Sequence, residues 1–243
     1  MRIDQDLPKM DQWVCLSHGQ YVLDVERQVL DGVLPQFFGY HIVQLGGPTQ
    51  SQYMDASLIR HKVRFSLDGD HSFPGDNVQV ERYDLPLKPE SVDVMLLPHV
   101  LEYSAEPERI LHQCYQHMVA DGTIIILGFN PFSLWGMAKL LKRQDRVYRR
   151  AQFIAPYKVR RSLHHAGFDV VSFNSMCFRL PVASKRVFES TQFLEPLGRF
   201  ILPSAGGIYM IIAKKKVVPM NLIVAPKLFQ PVRVRPVVAE SSI

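Results

Sequence analysis

Apolar positions along the chain fall into short continuous runs separated by longer amphipathic stretches. Residues 22–38, VLDVERQVLDGVLPQFF, set Leu23, Val29, Leu30, Val33 and Leu34 along one helical face, and the pattern predicts a helix that ends before Gly39. A strand is predicted over 41–46, a helical segment over 52–60, a second strand over 61–68 and a short third over 78–80. The run VDVMLL (92–97) is too continuously apolar to face solvent on either side, the mark of a parallel strand covered by helices on both faces. An amphipathic helix over Glu106–Met118, an Asp121-Gly122 turn and the strand TIIILGF (123–129) follow. Further helices near 156–165 and 185–194, a turn at Gly167, and strands over 168–173 and 208–214 complete the pattern. Strands alternating with helices at this spacing predict an α/β fold with a mostly parallel sheet.

The 243 residues suit one large domain, and 47% apolar with 21% charged residues suit a globular chain with a sizeable core. The organisation expected is a helical lead-in over 1–40, an α/β domain over 41–216 and a basic, proline-rich extended tail over 217–243. The three cysteines (Cys15, Cys114, Cys177) are scattered and show no zinc spacing, so neither a disulfide framework nor a metal site is expected. The N-terminus lacks the apolar core of an export signal, and the longest apolar stretch, 124–141, is interrupted by Asn130, Pro131 and Lys139. A cytoplasmic protein without a transmembrane segment is the expectation.

The net charge of +5 is unevenly spread, because the Lys139–Arg161 stretch carries nine basic residues against Asp145 alone. Such a cluster reads first as a solvated face; the alternative is an anionic partner such as RNA or a phospholipid headgroup, with the basic tail contributing.

In open α/β sheets ligands sit beyond the carboxyl ends of the strands. The candidates there are Gly46 and Gly47 after the first strand, Asp68 after the second, Glu81 and Arg82 after the third, and Pro98-His99 after the fourth. Glycines allow positive φ and close backbone approach to a ligand. Loop carboxylates can accept hydrogen bonds from ribose hydroxyls or an exocyclic amine. His99, with Glu102 and Tyr103 beside it, is the catalytic candidate if a proton must be removed; the same position also suits a hydrogen-bonded structural histidine. Phe129, Phe132, Leu134, Trp135 and Met137 read as core, or as an apolar lid over a substrate.

The run VERYDLPLKPESVDVMLLPHVLEYSAEPERILHQCYQHMVADGTIIILGFNP (80–131) resembles the core of class I S-adenosylmethionine-dependent methyltransferases of the type 11 kind. Glu81, Leu85-Pro86-Leu87, Val92-Asp93-Val94, His99-Val100-Leu101 and Asp121-Gly122 follow that family's order and spacing. FFGYHIVQLG and GFNPFSLWGMAKLL resemble a divergent proteobacterial subgroup of it. The resemblance implies a Rossmann-like, seven-stranded, mostly parallel sheet with helices on both faces, and S-adenosylmethionine as cofactor. It implies the methionine and ribose against Gly46 and Gly47, ribose hydroxyls near Asp68, and the adenine amine near Glu81 with the backbone of Arg82. Leu97 and Pro98 would line the methionine side. Gln44 stands where the family carries an acid, and Pro48 and Gln50 stand where it carries glycines; a neutral for an ionic hydrogen bond costs about 1–2 kcal/mol. The acceptor implied is a small or lipid-like molecule. Two rivals remain: a non-catalytic scaffold of the same fold, and an accessory protein that binds RNA or a membrane surface.

Overall fold

A computed structural model describes residues 17–48, 52–67, 77–81, 83–141, 151–179, 194–201 and 204–216. The chain enters through α1 (Ser17–Val33) and one 3-10 turn (Leu34–Gln36). The α-helix stops short of the expected residue 38 because Pro35 has no N–H to continue the ladder. Seven strands follow: β1 (His41–Leu45), β2 (His61–Leu67), β3 (Asn77–Val80), β4 (Val92–Pro98), β5 (Met118–Phe129), β6 (Phe168–Met176) and β7 (Ile208–Lys215). Among the described residues the helices between them are α2 (Pro107–His117), α3 (Leu134–Leu141), α4 (Pro156–Ala166) and α5 (Leu194–Ile201).

The strands form one sheet in the order β3-β2-β1-β4-β5-β7-β6. The first five run parallel, and β7 inserts antiparallel between β5 and β6. The expectation of a mostly parallel, seven-stranded sheet is met.

Alternate residues of the central strands feed two cores. Val43, Leu45, Met95, Leu97, Ile124 and Ile126 face α2 and α4 through Ile110, Leu111, Val159 and Leu163. Ile42, Val94, Leu96, Ile125 and Leu127 pack on the other face with Val22, Leu30 and Leu34. Two-sided burial explains why these strands read as unbroken apolar runs. Outside both cores, Asp93 accepts hydrogen bonds from the backbone N–H groups of Tyr40 (2.8 Å) and His41 (2.9 Å), tying the entry of β1 to β4.

Two local expectations change. Residues 52–60 form no helix: two i-to-i+3 bonds, Asp55 N to Gln52 O and Ser57 N to Met54 O, make turns, and the Ser57 hydroxyl takes the Ile59 N–H. Side-chain competition for the backbone and the nearness of β2 leave no room for a helical run. The Asp121-Gly122 turn lies inside β5 as an irregularity: the register passes from Val92 opposite Met118 to Val94 opposite Thr123. The helix expected over 185–194 falls, except for Leu194, outside the described residues, as does the tail over 217–243.

Candidate active site

The chain leaves β1 for β2 and β3 on one side and returns through β4 to β5 on the other. Strand order therefore reverses between β1 and β4, the place where open α/β sheets hold ligands in a crevice beyond the carboxyl ends. On the β1 side, Gly46 has φ +57° and Gly47 φ +95°. The Gly46 N–H donates to Phe65 O of β2 at 2.8 Å. Gly47 approaches the opposite wall closely: a Cβ there would lie 2.6 Å from Pro98 Cγ. A glycine pair is thus required both by conformation and by the nearness of β4.

Gln44, wholly buried, turns its side chain back onto this turn and donates from Nε2 to Gly46 O at 2.9 Å. An acid at this position could not make that bond, since an ionised carboxylate only accepts. Pro48 is buried beside the glycines, and Gln50 lies outside the described residues.

On the β4 side, Leu97 is a core residue and its side chain belongs to the α2–α4 face. Pro98 closes against Gly47. His99 follows with φ +56°, and its N–H reaches Leu127 O of β5 at 3.0 Å. The imidazole is fully enclosed: Nε2 lies 2.7 Å from Glu26 Oε1 and Nδ1 lies 3.1 Å from Glu102 Oε2. The other oxygens of both carboxylates are engaged, Glu26 by the Tyr53 hydroxyl and Glu102 by the Phe129 N–H. Burial alone would push the imidazolium proton off, but the two carboxylates outweigh it and raise the His99 pKa to about 10. Burial is the first cause, and the Glu26 charge the second, of a Tyr53 hydroxyl held well above its ordinary value. Tyr209, raised by burial and by Glu102, lies over Gly128, where a Cβ would come 2.5 Å from its hydroxyl oxygen. The Phe129 ring covers the imidazole, with centroids 4.3 Å apart.

The candidate residues thus separate by position. Gly46, Gly47 and Pro98 meet at the crevice, with Gln44 behind the turn. His99 and Glu102 meet each other, facing away into the α1 side of the sheet. Tyr103 is buried in the α2–α4 core, and Glu81 is exposed at the end of β3. Asp68 and Arg82 lie outside the described residues.

Glu26 and Tyr53 escape the sequence reading. A signal for Glu26 exists, because Val22, Glu26, Leu30 and Leu34 are the fully buried positions along one stripe of the lead-in, and a carboxylate in that stripe needs a buried partner. The partner, 73 positions away, leaves no local trace.

Among the described residues no group of three or more His, Cys, Asp or Glu side chains is disposed to hold a metal ion, and no helix is long and apolar enough to cross a membrane. His164 and His165 are exposed on α4. Of the basic stretch, Lys158, Arg160 and Arg161 are exposed on the same helix, and Arg160 lies over the Phe173 ring at 5.8 Å. Residues 142–150 fall outside the described residues.

Residues 50–126 match the family model described as "Methyltransferase domain", a span covering β2 to β4 and most of β5. The chain has the class I methyltransferase fold, with a match to the methyltransferase family model over that span. The match begins beyond the Gly46-Gly47 turn. An S-adenosylmethionine-dependent methyltransferase of Thermotoga maritima has the same fold, with a TM-score of 0.62 at 16% identity over 87% of this chain and 100% of that one. A phosphoethanolamine N-methyltransferase of Haemonchus contortus, in complex with phosphomonomethylethanolamine and S-adenosylhomocysteine, has a TM-score of 0.54 at 10% identity. That alignment covers 87% of this chain and 60% of the other. The uncharacterized protein YafS of Escherichia coli (strain K12) is 29% identical over 225 residues, covering 91% of this chain and 87% of its own.

Proposed function

We propose that the domain binds S-adenosylmethionine in the β1–β4 crevice and transfers its methyl group to a small-molecule acceptor. The observation that carries this reading is the Gly46-Gly47 turn at the strand-order reversal, two positive-φ residues of which the second is packed against Pro98. The residues fit the group. Gly46 and Gly47 admit the methionine end at backbone distance, Pro98 closes the opposite wall, and the exposed carboxylate of Glu81 accepts hydrogen bonds from the nucleoside. Asp68 is assigned the ribose hydroxyls and the Arg82 backbone the adenine. Gln44 serves the cofactor indirectly, by pinning the turn.

Bound, the cofactor supplies a methyl group on a positively charged sulfur, open to in-line displacement. The protein's share in such a reaction is to orient the acceptor and exclude water. Neither His99 nor Glu102 is open to an acceptor, so the proton of the acceptor leaves by another route. Phe132, stacked on Tyr157 at 6.5 Å, and Met137 leave exposed apolar surface beyond the carboxyl end of β5, which favours an acceptor with an apolar body.

Titration calorimetry with S-adenosylmethionine and S-adenosylhomocysteine tests the reading. Saturable binding of both is expected; no heat up to about millimolar ligand refutes it. Binding without methyl transfer to any acceptor in a broad panel would favour the cofactor-holding scaffold, a reading to which the altered turn at Gln44 and Pro48 lends its own support.

A further inference from the structure

The buried cluster behind the crevice brings one imidazole between two carboxylates. Each ring nitrogen of His99 faces a carboxylate oxygen, at 2.7 Å to Glu26 and 3.1 Å to Glu102. Burial opposes a charged ring, but the two carboxylates outweigh it and raise the His99 pKa to about 10, so the ring is an imidazolium whose nitrogens both donate. The Tyr53 hydroxyl and the Phe129 N–H are neutral donors to the remaining carboxylate oxygens. Two carboxylates against one imidazolium leave one net negative charge, fully enclosed and joined through a single residue, Pro98, to the wall that touches Gly47. Among the described residues, the other titratable groups facing the cluster are Tyr53 from the turn before β2, Tyr209 from β7 and the buried thiol of Cys177 after β6. None of these adds a cation.

A buried charge is screened little by salt and acts through protein rather than water. S-adenosylmethionine carries one more positive charge than S-adenosylhomocysteine, on its sulfur. We propose that Glu26 is a specificity-determining residue that acts through this cluster: its charge makes the crevice favour the sulfonium cofactor over the neutral thioether product. Glu26 touches neither ligand. It sets the sign of the field at the crevice, holds the cofactor before transfer and eases product release after it. The inference rests on the cofactor reading above.

Glu26→Gln tests it, since the amide keeps the shape of the side chain and removes its charge. The ratio of S-adenosylmethionine to S-adenosylhomocysteine affinity is measured by calorimetry on the full chain. The ratio is expected to fall about threefold to tenfold in the variant, with the S-adenosylhomocysteine affinity nearly unchanged. Glu26→Asp, which keeps the charge, should keep the ratio. A pH series adds a signature that a structural role would not produce. In Glu26→Gln, His99 has lost one of its two carboxylates and titrates closer to the ordinary histidine value. As it deprotonates, the lone Glu102 charge restores one net negative charge, so the ratio recovers between about pH 6 and about pH 9. The wild-type ratio stays flat over that range.

An unchanged ratio in Glu26→Gln, or an equal loss of both affinities, overturns the proposal while leaving the cofactor reading intact. Nitrogen-15 NMR of the wild-type His99 ring needs no variant. Two protonated nitrogens at about pH 8 are expected, and a neutral ring there overturns the placing of the proton on His99 from which the pH signature is argued. A wild-type protein that binds neither ligand overturns both inferences.

Discussion

Alanine at Gly47 and alanine at Gly46 should differ in cost although the residues are neighbours in one turn. Gly46, at φ +57°, sits in the left-handed well, and a Cβ there would meet two side-chain methyl groups, Leu67 Cδ1 at 3.2 Å and Val100 Cγ2 at 3.3 Å. The backbone penalty is about 1 kcal/mol, and the neighbours can yield a few tenths of an ångström. Gly47, at φ +95°, lies beyond that well, and its Cβ would come 2.6 Å from Pro98 Cγ, an atom of a rigid, buried ring in β4. Backbone strain of about 2 kcal/mol and overpacking of about 1–2 kcal/mol give a loss of about 3–4 kcal/mol, against about 1–2 kcal/mol at Gly46. For a domain of this size the gap between the variants, about 2 kcal/mol, corresponds to about 4–8 °C in melting temperature. Urea unfolding of wild type, Gly46→Ala and Gly47→Ala checks it, with unchanged m values showing that the denatured state is not the cause. Equal losses, or a larger loss at Gly46, would refute the account of the crevice as a turn pressed against β4.

Replacing Gln44 by Glu puts a carboxylate against Gly46 O in place of a donor; a loss of about 1–3 kcal/mol in urea unfolding and no gain in S-adenosylmethionine affinity are expected. Stability also depends on pH through His99, whose pKa is about 10 in the folded protein against about 6.5 unfolded. A raised pKa means that the folded state holds the proton more tightly, so this contribution is complete below about pH 6.5 and is lost as pH climbs towards 10. Melting temperature across that range should fall in the wild type and fall less steeply in His99→Gln. Tyr53→Phe removes a donor from buried Glu26 and is expected to cost about 1–3 kcal/mol by denaturation. Lys215 donates to Met118 O at 2.7 Å and lies 4.6 Å from the Tyr115 ring centroid, so Lys215→Met should lose about 1–3 kcal/mol in the same assay.

The sheet was legible because its information is local. VDVMLL and TIIILGF carry no polar face, and only a strand covered on both sides accommodates such runs, so their burial between two helical layers followed from composition and length. Gly46 and Gly47 were legible for a similar reason: residues of their kind between a strand and a loop mark a turn that needs positive φ. The 52–60 segment, expected to be helical, forms turns because the Ser57 side chain and the short path into β2 favour them.

The chemistry of the site was less local. That His99 stands at the mouth of β4 is a fact of spacing. That both its nitrogens are enclosed depends on α1 crossing the sheet to bring Glu26 within 2.7 Å, and on the 3-10 turn Leu101–Tyr103 folding Glu102 back. The direction of Gln44 likewise depends on the turn it grips. Periodicity along the chain sets which residues are buried. Which buried charge meets which is decided only when distant elements pack, since the cost of an unpaired charge is settled by neighbours in space rather than in sequence.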